Sequence, residues 1–409
     1  MNSVYDPNEL QSPAQRECDL LARLPTFLAY AKQECDHYRH ILNDIDVTAI
    51  SSRQSLTSVP VTRKSDLIGL QAKNMPFAGL NASSSTPSRI FQSPGPIFEP
   101  EHDSKDWWRM GAAFYGAGFR AGERVQNCLS YHLSPGGFIM DSGAKACGCS
   151  VIPAGPGQTE LQLDIIEQLR PEGYSGTPSF LNILLQKGKE QGRDISSMTK
   201  ALVSGEALTP SLQATFKATG ISVSQAYATA DIGLIAYETC PGSGLVVAED
   251  ILVEIVRPGS QELVADGEIG EVVVTSFNPD YPLIRFATGD LSSIMPGAGS
   301  CGRTNMRIRG WQGRADQTTK VKGMFIHPEQ VERIRLSHGE LAKVRLVVTN
   351  IDDNDQMTLH CEVSDAGRSD VDMARVAQTM KAITKLTGYV ELVAPGSLSD
   401  DGIVIEDLR

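Results

Sequence analysis

The chain has 409 residues, 41% hydrophobic and 21% charged, and its 37 Lys and Arg against 49 Asp and Glu leave a net charge of −12. That length exceeds one ordinary core and predicts two domains. An acidic chain without a basic cluster excludes non-specific nucleic-acid binding, and no apolar run approaches the roughly 18 residues of a membrane span.

The first segment, "MNSVYDPNELQSPAQRECDL", has no basic stretch followed by an apolar one, so no signal peptide and a cytoplasmic location are expected. Eight cysteines lie far apart, which predicts reduced thiols rather than a disulfide framework; Cys147 and Cys149 read as buried structural thiols. Apolar residues recur at helical spacing in "LLARLPTFLAYAKQECDHYRHIL", a helix that Pro25 is expected to break. "SVPVTRKSDLIGL" reads as a short extended piece and a helix start capped by Thr62 or Ser65. A turn-rich stretch, "LNASSSTPSRIFQSPGPIFEPEHDS", precedes an amphipathic helix over "SKDWWRMGAAFYGAGFRAGERV". Strands and helices then alternate: "CSVIPAG", "TELQLDIIEQLR", "GYSGTPS", "FLNILLQKGKEQG", "KALVSGEA", "LTPSLQATFKATG", "ISVSQAYA". That alternation predicts a parallel α/β sheet.

The texture changes twice more. "LVVAEDILVEIVRPGSQELVADGEIGEVVVTSF" is rich in β-formers around two turns and predicts an antiparallel region. The chain after "GRADQTT" reads strand, helix, strand, strand, helix, a small α+β unit. The expected architecture is therefore a large N-terminal α/β domain, 1–313, with a parallel sheet and an antiparallel β region, and a small C-terminal α+β lid, 314–409.

Four stretches carry the chemistry: "VSGEALTP", "QAYATADIGLIAYE", "GEIGEVVVTSFNPDYPLIRFATGDLS" and "IRGWQGRADQTTKVKGMFIHPEQVE". In this order and spacing they resemble the core motifs of the adenylate-forming superfamily, most of all the phenylacetate–CoA ligases, over the chain from about residue 55 to its end. The resemblance implies two half-reactions. ATP and a carboxylate give an acyl-adenylate and pyrophosphate; the thiol of coenzyme A then displaces AMP.

Residue by residue, the resemblance implies that Asp231 holds Mg²⁺, a hard cation that takes oxygen ligands; an Asp there also suits a helix N-cap. Tyr227 resembles the residue that stacks on adenine, with Ala228 and Thr229 beside it, and otherwise suits a strand-end core position. Ser204, Gly205 and Glu206 resemble the loop passing the adenine, Gly205 permitting close approach, and also suit a plain strand-to-helix turn. Asp290 resembles the carboxylate that accepts both ribose hydroxyls, and also suits a turn; Arg285 pairs with it or closes the strand. Arg314 resembles the guanidinium that reaches ribose or phosphate, Asp316 the hinge of the lid, and Gly323 the glycine beside the pantetheine arm of coenzyme A; surface, linker and turn roles suit these three as well. Tyr131, His132, Gly136, Gly176, Thr177 and Pro178 resemble the wall of a pocket for a small, aromatic carboxylic acid, although His132 also suits a core histidine.

Three departures follow. The family's phosphate loop is rich in Ser, Thr and Gly, whereas Ala82–Pro96 has Ser83, Ser84, Ser85 and Thr86 with no glycine before Pro87; "QSPGP" is an alternative anion-binding turn, and a surface loop a third reading. Ile403 stands where the family has a catalytic lysine. Loss of such a donor costs roughly 2.7–4 kcal/mol, so either Lys320 or Lys322 substitutes or adenylation is slow. Cys240 and Cys301 are two thiols where a structural zinc wants four ligands, so no zinc is expected. The expected function is ATP-dependent activation of an aryl or similar acid with transfer to coenzyme A. The alternatives are an impaired relative that binds nucleotide or aromatic acid as an accessory protein, and an adenylating enzyme with another acceptor. No nucleic acid or membrane partner is expected, and a homodimer is compatible with this reading.

Overall fold

The computed structural model describes residues 4–409 apart from 316, 318, 352–353, 364–370 and 399–402, and at 329 the backbone alone. The chain divides into two compact units, Met1–Gln312 and Gly313–Arg409. Among the described residues no helix is long and apolar enough to cross a membrane.

The first unit is built on a nine-stranded mixed sheet. Ser150–Pro153, Arg124–Asn127, Gly173–Gly176, Lys200–Val203 and Ser222–Thr229 pair in parallel. Helices Gly136–Ala146, Thr159–Leu169, Pro178–Gln191 and Pro210–Ala218 lie between these strands along the chain. Local chemistry sets their ends. Thr177 accepts from the Phe180 amide and Thr209 from that of Leu212, each followed by a proline at the first helical position. Gly192, left-handed, ends Pro178–Gln191.

Beyond Ser222–Thr229 the sheet turns antiparallel through Gly233–Glu238, Leu245–Val247, Arg307–Ile308 and Ile294–Met295. A second sheet of four strands, Thr62–Arg63, Leu283–Ser292, Gly270–Ser276 and Ile251–Val256, is antiparallel except for its first pair. One hydrophobic core joins the two sheets, with Leu202, Ala226 and Leu234 from the first and Leu252, Val274 and Phe286 from the second.

Arg285 is the polar anchor of that second sheet. Its side chain has no exposure, and neither has that of Glu254, to which its Nε donates at 3.1 Å. Its other nitrogens donate to the carbonyls of Val59 at 2.9 Å, Gln261 at 3.1 Å and Thr57 at 3.2 Å. Burial pushes the Glu254 carboxyl up, and the neighbouring guanidinium opposes that shift. Arg285 therefore closes the strand through Glu254 and does not pair with Asp290.

Three local expectations are corrected. Pro25 lies inside one helix, Pro13–Glu34, because the apolar face with Leu24, Leu28 and Ala31 is buried on both sides of it. The segment around Trp107 and Trp108 is helical only over Gly111–Gly116; Asp106 captures the amides of Met110 and Gly111, and Arg109 turns to φ 60°. Leu67–Lys73 begins after a 3₁₀ turn at Lys64–Asp66 with no side-chain cap, so neither Thr62 nor Ser65 caps it.

The second unit has a four-stranded sheet ordered Tyr389–Val393, Asn354–Val363, Leu341–Ile351 and Ile405–Asp407, with helices Pro328–Leu336 and Met373–Thr384. Ile334, Leu346, Leu359, Val376 and Met380 form its own core. A small hairpin, Thr319–Val321 with Met324–Ile326, precedes it.

Replacing Arg285 with Met leaves Glu254 buried without its cation. The expected loss is about 3–5 kcal/mol, read as a lowered denaturant midpoint of the first unit; a midpoint unchanged within error contradicts the anchoring role.

Candidate functional site

Tyr227 and Asp290 come together from different sheets. Ser222–Thr229 has a register shift between Tyr227 and Ala228 where it pairs with Gly233–Glu238, and such a bulge re-aims side chains. The Tyr227 hydroxyl donates to Asp290 Oδ2 at 2.8 Å and lies 3.2 Å from Thr288 Oγ1. Thr288 in turn donates to the Val272 carbonyl, and its oxygen accepts the Asp290 amide at 3.1 Å. Trp311 Nε1 donates to Asp290 Oδ1 at 3.2 Å. Asp290 is 7% exposed and Trp311 39% exposed, so the carboxylate is gripped from inside while an indole covers it from outside. Trp311 was missed in the sequence; its signal was a tryptophan beside "GRAD", meaningful only once Asp290 is its spatial neighbour.

Ser204 closes the neighbouring strand ends. Its amide donates to the Gly176 carbonyl and its hydroxyl to that of Ala226, at 3.0 and 2.8 Å. Gly205 follows, exposed, at φ 81°, with Glu206 half-buried. Gly176 has a packing reason to be glycine: a Cβ there would lie 2.2 Å from the Tyr174 hydroxyl oxygen. The Thr177 hydroxyl is used as a helix cap and Pro178 starts that helix. Thr229 accepts from the Ile232 amide.

Tyr131 packs edge-on against Phe138 with ring centroids 5.1 Å apart. Its hydroxyl accepts from Asn127 Nδ2 at 2.6 Å and donates to Asp141 at 3.3 Å; burial and Asp141 hold it well above the ordinary phenol range. Tyr131 thus offers a ring face rather than a hydroxyl. His132 is exposed and not a core histidine, and Gly136 begins the helix Gly136–Ala146.

Asp231 sits elsewhere than its motif predicts. It lies in the turn between the antiparallel strands Ser222–Thr229 and Gly233–Glu238, so it neither opens a βα loop nor caps a helix. Its side chain has no exposure, and Lys64 Nζ donates to its Oδ2 at 2.5 Å. Its Oδ1 is buried without a hydrogen-bond partner. Glu99 lies beside this pair, holding the hydroxyl and amide of Ser93. Burial, then the charge of Asp231, pushes Glu99 up to about 8, against the pull of Lys64.

Mg²⁺ needs an octahedral shell that usually keeps several waters. An enclosed carboxylate already neutralised by an ammonium does not fit that demand. Among the described residues no group of three or more His, Cys, Asp and Glu could hold a metal ion. Cys301 is buried and Cys240 half-buried.

The later part of the stretch compared with a phosphate loop forms a tight hairpin, and its Ser/Thr-rich part, 83–88, precedes that hairpin. Arg89–Ser93 pairs with Ile97–Glu101, with Ser93 opposite Ile97, so three residues, Pro94, Gly95 and Pro96, make the whole connection. Upstream, Ser83 donates its hydroxyl to Glu34 at 3.0 Å, and Ser85 donates to Asp280 at 2.5 Å with His102 Nδ1 at 2.9 Å.

The remaining expected residues belong to the second unit. Arg314 is half-buried. Lys320 Nζ lies 5.6 Å from the centroid of the Phe325 ring. Lys322, at φ 47°, and Gly323, at φ 81°, make the exposed tip of its small hairpin. Ile403 is 37% exposed, and its carbonyl accepts from Arg345. Asp316 lies outside the described residues.

A family model described as AMP-binding enzyme matches residues 109–278. Phenylacetate-coenzyme A ligase of Thermus thermophilus is 28% identical over 88% of this chain and 85% of its own; that of Aromatoleum evansii is 27% identical over 88% and 84%. A crystal structure of 2-hydroxyisobutyryl-CoA ligase, in complex with 2-HIB-AMP and CoA, aligns with a TM-score of 0.81 at 22% identity, covering 98% of this chain and 91% of that one. The last likeness is one of fold.

Glu99 gives a pH test. Its ordinary value is 4.5 and its folded value is raised to about 8, so the stability it contributes is full below pH 4.5 and is lost as pH rises through 8. Glu99→Gln removes this titration. The wild type is expected to lose thermal stability relative to the variant between pH 5 and 8, by at most about 1.4 kcal/mol per pH unit; parallel melting curves for the two across that range contradict the assignment.

Proposed function

We propose, from the premise that this chain belongs to the phenylacetate–CoA ligase-like branch of the adenylate-forming enzymes, that it is an AMP-forming acid–thiol ligase acting on an aromatic carboxylic acid with coenzyme A as acceptor. The observation that carries this reading is the 2.8 Å bond between the Tyr227 hydroxyl and Asp290. It holds an aromatic ring and a carboxylate in one fixed relation, as adenosine recognition requires: a flat face for the base and two acceptor oxygens for the ribose hydroxyls.

In this reading Asp290 Oδ2 accepts the hydrogen bond from the Tyr227 hydroxyl and uses its other lone pairs on ribose. Thr288 and the Asp290 backbone hold the carboxylate in place. Ser204, tied to the strand ends at Gly176 and Ala226, fixes the Gly205–Glu206 turn past which the base lies. The ring faces of Tyr131 and Phe138 supply an apolar wall suited to a flat acyl group. By resemblance, Arg314 reaches the ribose or phosphate and Gly323 lies by the pantetheine arm. In the transfer step the thiolate of coenzyme A attacks the acyl carbon of the adenylate. The bond from that carbon to the phosphate oxygen breaks, AMP departs with the electron pair, and the thiol proton passes to solvent. No step runs through a metal at Asp231.

The test is to supply synthetic phenylacetyl-adenylate and benzoyl-adenylate with coenzyme A and measure thioester and AMP together. One AMP per thioester is expected from at least one of them; no thioester above the uncatalysed rate contradicts the proposal. Tyr227→Phe removes the hydroxyl that donates to Asp290 and is expected to weaken AMP binding by about 1 kcal/mol, read by calorimetry.

A further inference from the structure

Gly323 stands at the tip of a hairpin that needs support from outside itself. Thr319–Val321 and Met324–Ile326 make a short antiparallel ladder, and a two-stranded hairpin alone is marginally stable in water. Val321 and Ile326 anchor it in the core of the second unit. Its two-residue turn, Lys322 at φ 47° and Gly323 at φ 81°, has the left-handed pair such hairpins favour, and it is exposed. Among the described residues nothing lies within 4 Å of where a Cβ on Gly323 would stand. The tip is therefore open to a ligand, and polar ties set its aim.

Those ties converge on one side chain. Arg409 donates from Nε and Nη2 to the two oxygens of Asp407, at 2.9 and 2.5 Å, a bidentate grip that suits its planar fork. Nη2 also donates to Thr319 Oγ1 at 3.0 Å, and Nη1 donates to Asp355 Oδ2 at 2.7 Å. Thr319, the first residue of the hairpin, gives its own hydroxyl proton to Asp407. Asp355 Oδ2 accepts the Lys322 amide at 3.1 Å, the backbone donor next to Gly323. Asp355 lies near the start of the long strand Asn354–Val363, where Asn350 Nδ2 donates to its Oδ1 at 3.4 Å. One guanidinium thus holds the hairpin at its base through Thr319 and at its tip through Asp355. The side chains of Arg409, Asp355 and Asp407 are only 17%, 20% and 18% exposed, so this network is not the solvated kind of ion pair that contributes little.

We infer that Arg409, acting through Asp355, is a positioning residue for the acyl acceptor: the pair sets the place of the Lys322–Gly323 turn, and with it the affinity for the pantetheine arm of coenzyme A. The inference rests on the acceptor reading proposed above and deepens it. Neither side chain takes part in the bond-making step, so the quantity they set is acceptor binding. Tyr227 and Asp290 belong to the other unit, and AMP binding is left as it is.

The experiment uses the intact wild type, Arg409→Gln, Arg409→Lys and Asp355→Ala. Thioester formation is followed as coenzyme A is varied, from whichever of phenylacetyl-adenylate and benzoyl-adenylate the wild type uses. AMP is titrated into each protein by calorimetry, and each melting curve is recorded. Arg409→Gln and Asp355→Ala are expected to raise KM for coenzyme A about tenfold or more, with kcat changed less than about threefold and AMP affinity as in the wild type. Arg409→Lys keeps a cation beside Asp355 and is expected to recover part of the lost affinity. A merely structural role gives the opposite split, kcat falling with the folded fraction at unchanged KM. Unchanged KM in Asp355→Ala, which leaves Arg409 its pair with Asp407, overturns the inference even where Arg409→Gln fails to fold. No thioester from the wild type with coenzyme A overturns the acceptor reading, and this inference with it.

Discussion

A buried carboxylate held by two donors organises this molecule. Asp290 stands near the end of Leu283–Ser292 in the four-stranded sheet, and Tyr227 near the end of Ser222–Thr229 in the nine-stranded one. The hydrogen bond between them ties the two sheets at the place where both end, above the core they share. A carboxylate only 7% exposed must be hydrogen-bonded to be tolerated, and Tyr227, Trp311 and the Thr288 turn meet that need. Five residues earlier on the same strand, Arg285 locks the sheet to Glu254 and to the chain at 57–59. The buried ion pair and the buried end of the strand thus form one rigid lever carrying Asp290.

The alternation of strands and helices was legible because hydrophobic period and punctuation agreed: Thr177 and Thr209 cap, prolines follow them, and Gly192 stops a helix. Pro25 was misread because a proline's cost of about 3 kcal/mol in a helix is smaller than the gain from burying Leu24, Leu28 and Ala31 around it. The tryptophan segment was misread because periodicity does not reveal that Asp106 takes two backbone amides. For the site, Tyr227 and Asp290 could be named from their motifs, but not the bond that couples them. Lys64 is 167 residues from Asp231 along the chain, and nothing local to either announces the pair. Trp311 was invisible for the same reason.

That distant pair changes the chemistry. Asp231 reads as a metal ligand in its motif, yet it is enclosed and neutralised by Lys64, with Glu99 alongside. The same hairpin that carries Glu99 has only three residues in its turn. Two features that sequence treats separately, an acid in one motif and a glycine-poor loop in another, meet at one place in space.

The central claim is that Asp290, gripped by Tyr227, is where the ribose of an adenine nucleotide binds. It is tested most directly by titrating AMP into the wild type and into Asp290→Asn, a change that keeps the shape and removes the charge. The account predicts a loss of about 1.5–3 kcal/mol, the range for a hydrogen bond to a charged group, with both proteins folded as judged by their melting curves. AMP affinity unchanged in the variant would contradict it.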